Sequence, residues 1–140
     1  MTWLLDTNIL IYLMKHKTPA VVERIASVGE NDLVTMSFVT YAELLKGAEG
    51  SNRTDTVLAA LRDLTREIPV EYAVDERICR LYGDHANRLK RAGTPIGGND
   101  LWIACHALSI NATLVTNNTR EFSRIDGLRL ENWVEQDVKL

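Results

Sequence analysis

The first eleven residues, MTWLLDTNILI, place a short uncharged apolar run directly before an aspartate and a second apolar stretch. The run Trp3–Leu5 suits a buried strand, and the apolar residues in Ile9–Met14 continue at helical length. Asp6 therefore lies between a buried strand and a helix, which is where open α/β sheets place their ligand sites. Aspartate is also a preferred helix N-cap, so at this point Asp6 is either a functional carboxylate or a cap.

Further along the chain, short strand-like runs alternate with helical segments. The sequence predicts further strands at 33–36, 68–70, 112–116 and 128–130. It predicts helices from Pro19 (capped by Thr18) to Gly29, Phe38 (capped by Ser37) to Ala48, Thr54 to Arg66, Asp75 to Ala92, and Asn99 to Ile110. No hairpin signal separates the strands, so we expect them to be parallel and covered by helices on both faces. The predicted fold is a three-layer α/β/α sandwich around a sheet of four to five strands.

Length and composition bound the possible functions. The 140 residues fit one domain spanning 1–140, and the net charge of −3 argues against a large generic affinity for nucleic acid. It does not exclude a nucleic-acid enzyme with an acidic metal site. Cys79 and Cys105 match no metal spacing and are expected to be reduced core thiols. Without a leader peptide or a membrane span, the expected location is the cytoplasm.

Three further places carry polar groups in an informative setting. Asp100 is flanked on its own helix face by Ile103, Ala104 and Ala107, where an anion is costly unless it is paired or binds a metal. A helix N-terminus also favours a carboxylate, so a structural role for Asp100 stays open. Glu43 falls on the polar side of its helix, and periodicity alone does not select it.

The last of these places is the segment LVTNNTREF, from Leu114 to Phe122. Here a buried strand ends in hydroxyl and amide groups, and Glu121 follows Asn118 by three residues. Turn chemistry is a sufficient explanation for the Asn-Asn pair when it is considered by itself.

Together, LLDTNILIYL, TYAELLKGAE, GGNDLWIACHA and LVTNNTREF resemble the motifs of the PIN-domain ribonucleases. More narrowly, they are similar to the VapC toxins of bacterial VapBC toxin–antitoxin modules, in the group that cleaves initiator tRNA in the anticodon stem-loop. The resemblance covers essentially the whole chain and agrees in order, spacing and length. It implies a PIN-like fold and a metal-dependent endoribonuclease that inhibits translation.

The resemblance also implies roles for particular residues. Asp6, Glu43 and Asp100 correspond to the acidic residues that hold a divalent metal, and Thr7 and Thr116 correspond to supporting hydroxyl positions. The family's general pattern has an aspartate in the fourth motif, where this chain has Asn118. Either the Asn118 amide oxygen or the Glu121 carboxylate then completes the catalytic site.

Oxygen ligands without a His or Cys cluster select hard cations, so Mg²⁺ is the expected cofactor and Mn²⁺ a possible one. One or two such ions activate water and stabilise the leaving oxygen of a phosphodiester. The resemblance further implies a VapB-like antitoxin that docks over the helices, a homodimer, a toxin–antitoxin hetero-oligomer, and contact with operator DNA only through the antitoxin.

Two alternatives remain at this point. A degraded PIN fold would act as an RNA- or protein-binding module, which the Asn118 substitution keeps open. A haloacid-dehalogenase-like phosphatase also begins with a strand ending in aspartate, but it needs Asp-x-Asp where this chain has Asp6-Thr7-Asn8.

The histidines His16, His85 and His106 share no metal spacing and are expected to be structural. Trp3 and Trp102 are expected in the core, and Trp133, in a polar tail, is a candidate for an interface.

Overall fold

In the computed structural model, which describes residues 1–16 and 19–134, five short strands form one parallel sheet. The strands are β1 (Thr2–Leu5), β2 (Leu33–Ser37), β3 (Val70–Glu71), β4 (Thr113–Val115) and β5 (Leu130–Glu131). Their order is β3-β2-β1-β4-β5, and every neighbouring pair is parallel. The first strand of the chain is therefore the central one. The predicted parallel sheet is confirmed, with Pro69 just before an edge strand, where proline costs no ladder hydrogen bond.

Seven helices in the described residues connect these strands. They are α1 (Thr7–His16), α2 (Pro19–Ala26), α3 (Phe38–Glu49), α4 (Thr54–Glu67), α5 (Glu76–Ala92), α6 (Gly98–Ser109) and α7 (Thr119–Phe122). The predicted helices are confirmed, although α2 ends before Gly29. The predicted cap Thr18 lies outside the described residues. Over residues 1–16 and 19–134, every helix is too short or too polar to cross a lipid bilayer.

Local capping chemistry explains where several helices begin and end. The Ser37 hydroxyl accepts a hydrogen bond from the Val39 amide at 3.1 Å and so caps α3 as predicted. The Asp75 carboxylate caps α5 in the same way, through the Arg77 amide at 2.9 Å. Gly93 ends α5 in the left-handed conformation, with φ of 71°, which explains a glycine at this position.

The core lies in two layers, one on each face of the sheet. Successive residues of a strand point to opposite faces, and the fully buried Leu4 and Leu5 belong to different layers. The Leu5 layer includes residues of α1–α4, among them Leu10 and Leu44. The Leu4 layer includes residues of α5–α7, among them Ile103. The predicted three-layer arrangement is thus confirmed.

Two predictions about individual side chains are wrong. Trp133 is 1% exposed and packs edge-on against Trp3, with ring centroids 6.1 Å apart, because the chain folds back onto the core after β5. Both indole N–H groups donate to Glu131, so Trp133 is a core residue and not part of a polar surface. Cys79 is exposed while Cys105 is buried, because one residue along α5 turns Cys79 about 100° away from buried Ile78.

The Thr35 hydroxyl is buried on β2 without a hydrogen-bond partner among the described residues. An unsatisfied buried polar group is destabilising, so the nearly isosteric Thr35→Val substitution is expected to raise the free energy of unfolding by about 1 kcal/mol. Urea denaturation measures the change. Thr113→Val is the matched control, because the equally buried Thr113 hydroxyl accepts from Arg129 at 3.3 Å, and its loss is expected to destabilise. Equal losses in both variants would contradict the prediction.

Candidate active site

The candidate site lies at the carboxyl ends of the central strand β1 and its neighbour β4. Asp6 directly follows β1, and Thr116 directly follows the neighbouring strand β4. The Asp6 amide donates to the Val115 carbonyl at 3.0 Å, which extends the sheet pairing up to the site. The parallel pairing of β1 with β4 therefore joins two motifs that are far apart in the sequence.

Asp6 is 4% exposed, and both interpretations of it find support in the structure. Its Oδ1 accepts a hydrogen bond from the Ile9 amide at 2.9 Å, so the capping interpretation is confirmed. The carboxylate also accepts a hydrogen bond from the Thr116 hydroxyl, which lowers its pKa. Burial outweighs these bonds and raises the pKa of Asp6 to about 6, with further contributions from the charges of Asp100 and Glu43. A cap alone has no need of this environment.

Glu43 is held by a hydroxyl from the first helix. The Thr7 Oγ1 donates to Glu43 Oε1 at 2.7 Å, a short charge-assisted hydrogen bond, and lies 3.1 Å from the buried Thr40 Oγ1. Because Thr7 follows Asp6 immediately, this bond places the carboxylate of α3 beside the beginning of α1. The tertiary contact with Thr7 explains why helical periodicity within 38–48 could not identify Glu43.

Asp100 lies in the first turn of α6, where its side chain is half-buried. Burial raises the pKa of Asp100, and the negative charges of Glu43 and then Glu121 raise it further. The loop before α6 is tied to the segment after α7 by Arg124, which donates to the Pro95 carbonyl at 3.2 Å. The loop between α5 and α6 thus positions Asp100 within electrostatic reach of Glu43 and Glu121.

The fourth motif forms a short chain of hydrogen bonds. The Thr116 hydroxyl accepts a hydrogen bond from the backbone N–H of Asn118 at 2.9 Å. The side-chain Nδ2 of Asn118 donates to Glu121 Oε2 at 3.0 Å. A carboxylate only accepts hydrogen bonds, so the group of Asn118 facing Glu121 is its NH₂. An aspartate at 118 could not make this bond. The asparagine therefore orients Glu121, whose charge reaches Asp100.

The site residues fit a divalent cation of limited coordination. The candidate donors are all oxygens, and neighbouring negative charges help to raise the pKa of Asp6 and of Asp100, so a cation would relieve a repulsion that the protein already carries. Within residues 1–16 and 19–134, no three His, Cys, Asp or Glu side chains are gathered as a preformed metal cage. Mg²⁺ commonly binds to one or two carboxylates and retains several waters, which suits such an open arrangement. The ligand role of these residues remains a prediction.

His106 is the polar residue near the site whose partners the sequence did not reveal. It is fully buried in α6, with Nδ1 at 2.8 Å from the Ser37 Oγ and Nε2 at 3.1 Å from the Ala73 carbonyl oxygen. A histidine within a helix that is apolar nearly all round is buried and needs hydrogen-bond partners. The apolar surroundings of His106 in the sequence therefore indicated that it has partners, but not which residues they are.

Comparison with known proteins agrees with this fold and site. The PIN domain model matches residues 3–128. Ribonuclease VapC1 from Haemophilus influenzae strain R2866 is 50% identical over 96% of this chain and 100% of the relative. The tRNA(fMet)-specific endonuclease VapC of Shigella flexneri is 39% identical over 94% of this chain and 97% of the relative. The solved structure of VapBC-1 from nontypeable Haemophilus influenzae superposes with a TM-score of 0.90 at 51% identity, covering 95% and 98% of the two chains.

The parallel sheet, with acidic residues at its carboxyl edge, therefore identifies the fold as that of a PIN-domain nuclease. The chain belongs to the PIN-domain family and, within it, to the VapC ribonucleases. PIN-domain nucleases are generally dependent on divalent metal. The alternative of a haloacid-dehalogenase-like phosphatase is set aside by this membership.

The raised pKa of Asp6 predicts an unusual pH dependence for the metal-free protein. Folding moves this pKa from 3.8 to about 6, so the folded chain binds the Asp6 proton more tightly than the unfolded chain. The stabilisation is complete below the unfolded value and is lost as the pH rises through the folded value, a change of about 3 kcal/mol. Asp6→Asn is expected to remove this loss and to be more stable than wild type at neutral pH without metal.

Urea denaturation in the presence of a chelator, between about pH 4 and pH 7, measures this effect. Asp55→Asn is the control, because Asp55 is an exposed aspartate of α4. A wild-type protein whose stability rises through this range relative to Asp6→Asn would contradict the burial of a charged Asp6.

Proposed function

We propose that this protein is the toxin of a type II toxin–antitoxin module and hydrolyses RNA phosphodiester bonds with Mg²⁺ as cofactor. The observation that carries the proposal is the buried Asp6 at the end of β1 beside Thr7, which donates to Glu43 at 2.7 Å; the charges of Asp100 and Glu43 are close enough to raise the pKa of Asp6. Partly buried carboxylates that repel one another are costly unless they serve a cation. Membership in the VapC ribonucleases supports RNA as the substrate class.

Mg²⁺ is the expected ion, with Mn²⁺ as a substitute, because the candidate ligands offer only oxygen atoms. When bound, the cation supplies an activated water and neutralises charge on the leaving oxygen of the phosphodiester. The chain's own contribution is to orient the ligands. Thr7 holds Glu43, and Thr116 holds Asp6, each through a hydroxyl–carboxylate hydrogen bond.

Glu121 is proposed as the fourth acidic group, and Asn118 as the residue that orients it. The hydrogen bond from the Asn118 NH₂ to Glu121 and the influence of Glu121 on Asp100 support this assignment. The negative charge that the family pattern places at the fourth motif is thereby moved three residues along the chain. If the Asn118 amide oxygen were the ligand instead, substitution of Asn118 would affect Mg²⁺ binding more than substitution of Glu121.

The expected substrate is initiator tRNA, cut in the anticodon stem-loop. The support is the 39% identity to a relative named as a tRNA(fMet)-specific endonuclease. Lys46 and Arg120 are both exposed. Lys46 follows Glu43 by three residues and Arg120 directly precedes Glu121, so we expect them to contact the phosphates that flank the cut bond. A tRNA substrate places the action of the enzyme in the cytoplasm.

The expected protein partner is a VapB-like antitoxin, and the solved VapBC-1 complex supports this. A groove of about 490 Å³ between α1, α3 and α4 is the proposed docking site. Its apolar lining includes Ile11, Met14, Leu44, Val57 and Leu61. Glu43 also lines the groove, so a cationic side chain of the partner could reach the acidic site. Homodimerisation and operator contact through the antitoxin are carried over from the family resemblance.

Cleavage of initiator tRNA by the antitoxin-free protein tests the proposal directly. Wild type is expected to cut the anticodon stem-loop with Mg²⁺ and to lose activity with a chelator. Asp100→Asn and Glu43→Gln are each expected to reduce cleavage by at least about 100-fold, more than is typical for residues that merely hold a metal ligand. Sequencing the RNA ends identifies the cut.

Glu49→Gln is the matched control for Glu43→Gln, because Glu49 is an exposed acid on the same helix. It is expected to leave cleavage unchanged. Chelator-resistant cleavage would contradict the cofactor. Absence of any cleavage by wild type, with RNA still bound, would favour a binding module with a degraded site.

The roles of Asn118 and Glu121 can be separated by the Mg²⁺ concentration that gives half-maximal cleavage. Glu121→Gln is expected to raise this concentration about tenfold, because it removes a charge beside the cation. Asn118→Ala is expected to have a smaller effect, since it removes only the group that orients Glu121. A larger effect for Asn118→Ala would instead identify the Asn118 amide oxygen as the ligand.

A further inference from the structure

A buried hydrogen bond joins α6 to Ser37, the last residue of β2 and the N-cap of α3. The Ser37 Oγ lies 2.8 Å from the His106 Nδ1, and both side chains are fully buried. The other ring nitrogen of His106 lies 3.1 Å from the Ala73 carbonyl oxygen, in the segment between β3 and α5. His106 therefore connects α6 to the beginning of α3 and to a loop.

The chemistry of the partners fixes the direction of each bond. A carbonyl oxygen only accepts, so the His106 Nε2 carries the hydrogen and donates to Ala73. Burial lowers the pKa of His106, so the imidazole is neutral and its Nδ1 is an acceptor. The Ser37 hydroxyl must then donate to Nδ1, while its oxygen accepts from the Val39 amide. The donor and the acceptor of each of these three hydrogen bonds are therefore fixed.

A second contact reinforces the connection. The Phe38 ring meets the His106 imidazole edge-on, with centroids 5.5 Å apart and planes inclined at 62°. Phe38 is the first residue of α3 and Ser37 is its N-cap. His106 thus contacts two successive residues at the point where the glutamate-bearing helix begins.

The same two helices meet again at the acidic site. Glu43 follows Ser37 by six residues in α3, and Asp100 precedes His106 by six residues in α6. Six residues of helix span about 9 Å, so the two contacts are separated by equal lengths of rigid helix. The segments 37–43 and 100–106 therefore run in opposite directions. At one end Ser37 and His106 are hydrogen-bonded, and at the other end the charge of Glu43 acts on Asp100.

We propose that Ser37 and His106 are positioning residues that set the spacing of Glu43 and Asp100 and thereby the affinity of the site for its cation. Apolar burial holds α6 against the sheet, but burial is not directional and does not fix the rotation of a helix. The hydrogen bond is directional and supplies that restriction. This inference rests on the proposed function, because it assigns the spacing to a metal site.

Two substitutions of His106 separate its two hydrogen bonds. The amide oxygen of asparagine occupies a place like that of Nδ1, so His106→Asn retains an acceptor for Ser37 and loses the bond to Ala73. The amide nitrogen of glutamine reaches a place like that of Nε2, so His106→Gln retains the bond to Ala73 and loses the bond to Ser37. Both variants remove the ring, so a loss of stability is expected in both.

Two measurements on the full-length, antitoxin-free protein then distinguish positioning from stability: the Mg²⁺ concentration for half-maximal RNA cleavage, and the Mg²⁺ concentration for half the rise in Tm. His106→Gln is expected to shift both about tenfold upward, at the lower end of the effects seen when partners of metal ligands are removed. His106→Asn is expected to stay close to wild type in both. Measurements are made at a temperature at which every variant is folded.

Ser37→Ala provides the reciprocal test, and Asp75→Ala is its matched control. Each removes an N-cap whose oxygen accepts from the backbone amide two residues later, but it is Ser37 that bonds to His106 of α6. Ser37→Ala is expected to behave as His106→Gln does, and Asp75→Ala to keep the Mg²⁺ requirement of wild type.

Equal Mg²⁺ requirements in His106→Gln and His106→Asn, or in Ser37→Ala and Asp75→Ala, would overturn the positioning role and leave the metal site intact. A wild-type protein whose Tm and RNA cleavage do not respond to Mg²⁺ would overturn the proposed metal site itself, and the positioning role with it. The two failures are therefore distinguishable.

Discussion

The cost of placing an anion away from water governs how this protein is built around Asp6. That carboxylate is 4% exposed and lies within the electrostatic reach of two further acids, so water does not compensate its charge. The backbone amide of Ile9 and the hydroxyl of Thr116 compensate part of it. In the proposed function, a divalent cation would compensate the remaining part of this charge. The burial that destabilises the fold without metal would then also favour metal binding.

The fold meets this requirement by distributing the task among several elements. Strand β1 carries Asp6 to the edge of the sheet, α3 and α6 carry Glu43 and Asp100, and hydroxyl groups from α1 and the end of β4 hold two of the carboxylates. Hydroxyl groups donate to carboxylates without adding charge, so they orient the acids and leave the site anionic. A lysine in either hydroxyl position would neutralise the negative charge that the proposed cation requires.

The sequence predicted most of the fold, because hydrophobic periodicity and capping residues are local signals. The helices, the three inner strands and the Ser37 cap followed from such signals, whereas the two edge strands, expected at 68–70 and 128–130, lie at Val70–Glu71 and Leu130–Glu131. Asp6 and Asp100 were also accessible, since each carboxylate interrupts an apolar pattern. Glu43 was not, because its distinguishing contact is with Thr7, and periodicity carries no information about another helix. The family resemblance supplied Glu43 where the local pattern failed. Trp133 was misjudged for the same reason, since it packs against Trp3 at the other end of the chain. His106 is structural as expected, although its partners Ser37 and Ala73 could not be identified from the sequence.

The central position of β1 has a consequence for the order in which the protein is completed during translation. The first strand to leave the ribosome has β4 as one neighbour, and Thr116, which bonds Asp6, follows that late strand. Synthesis proceeds at about 5–20 residues per second, so several seconds separate the appearance of the two residues. A growing chain can thus hold much of the Leu5 layer before the partner of Asp6 exists, and the catalytic pocket is among the last parts of the molecule to close.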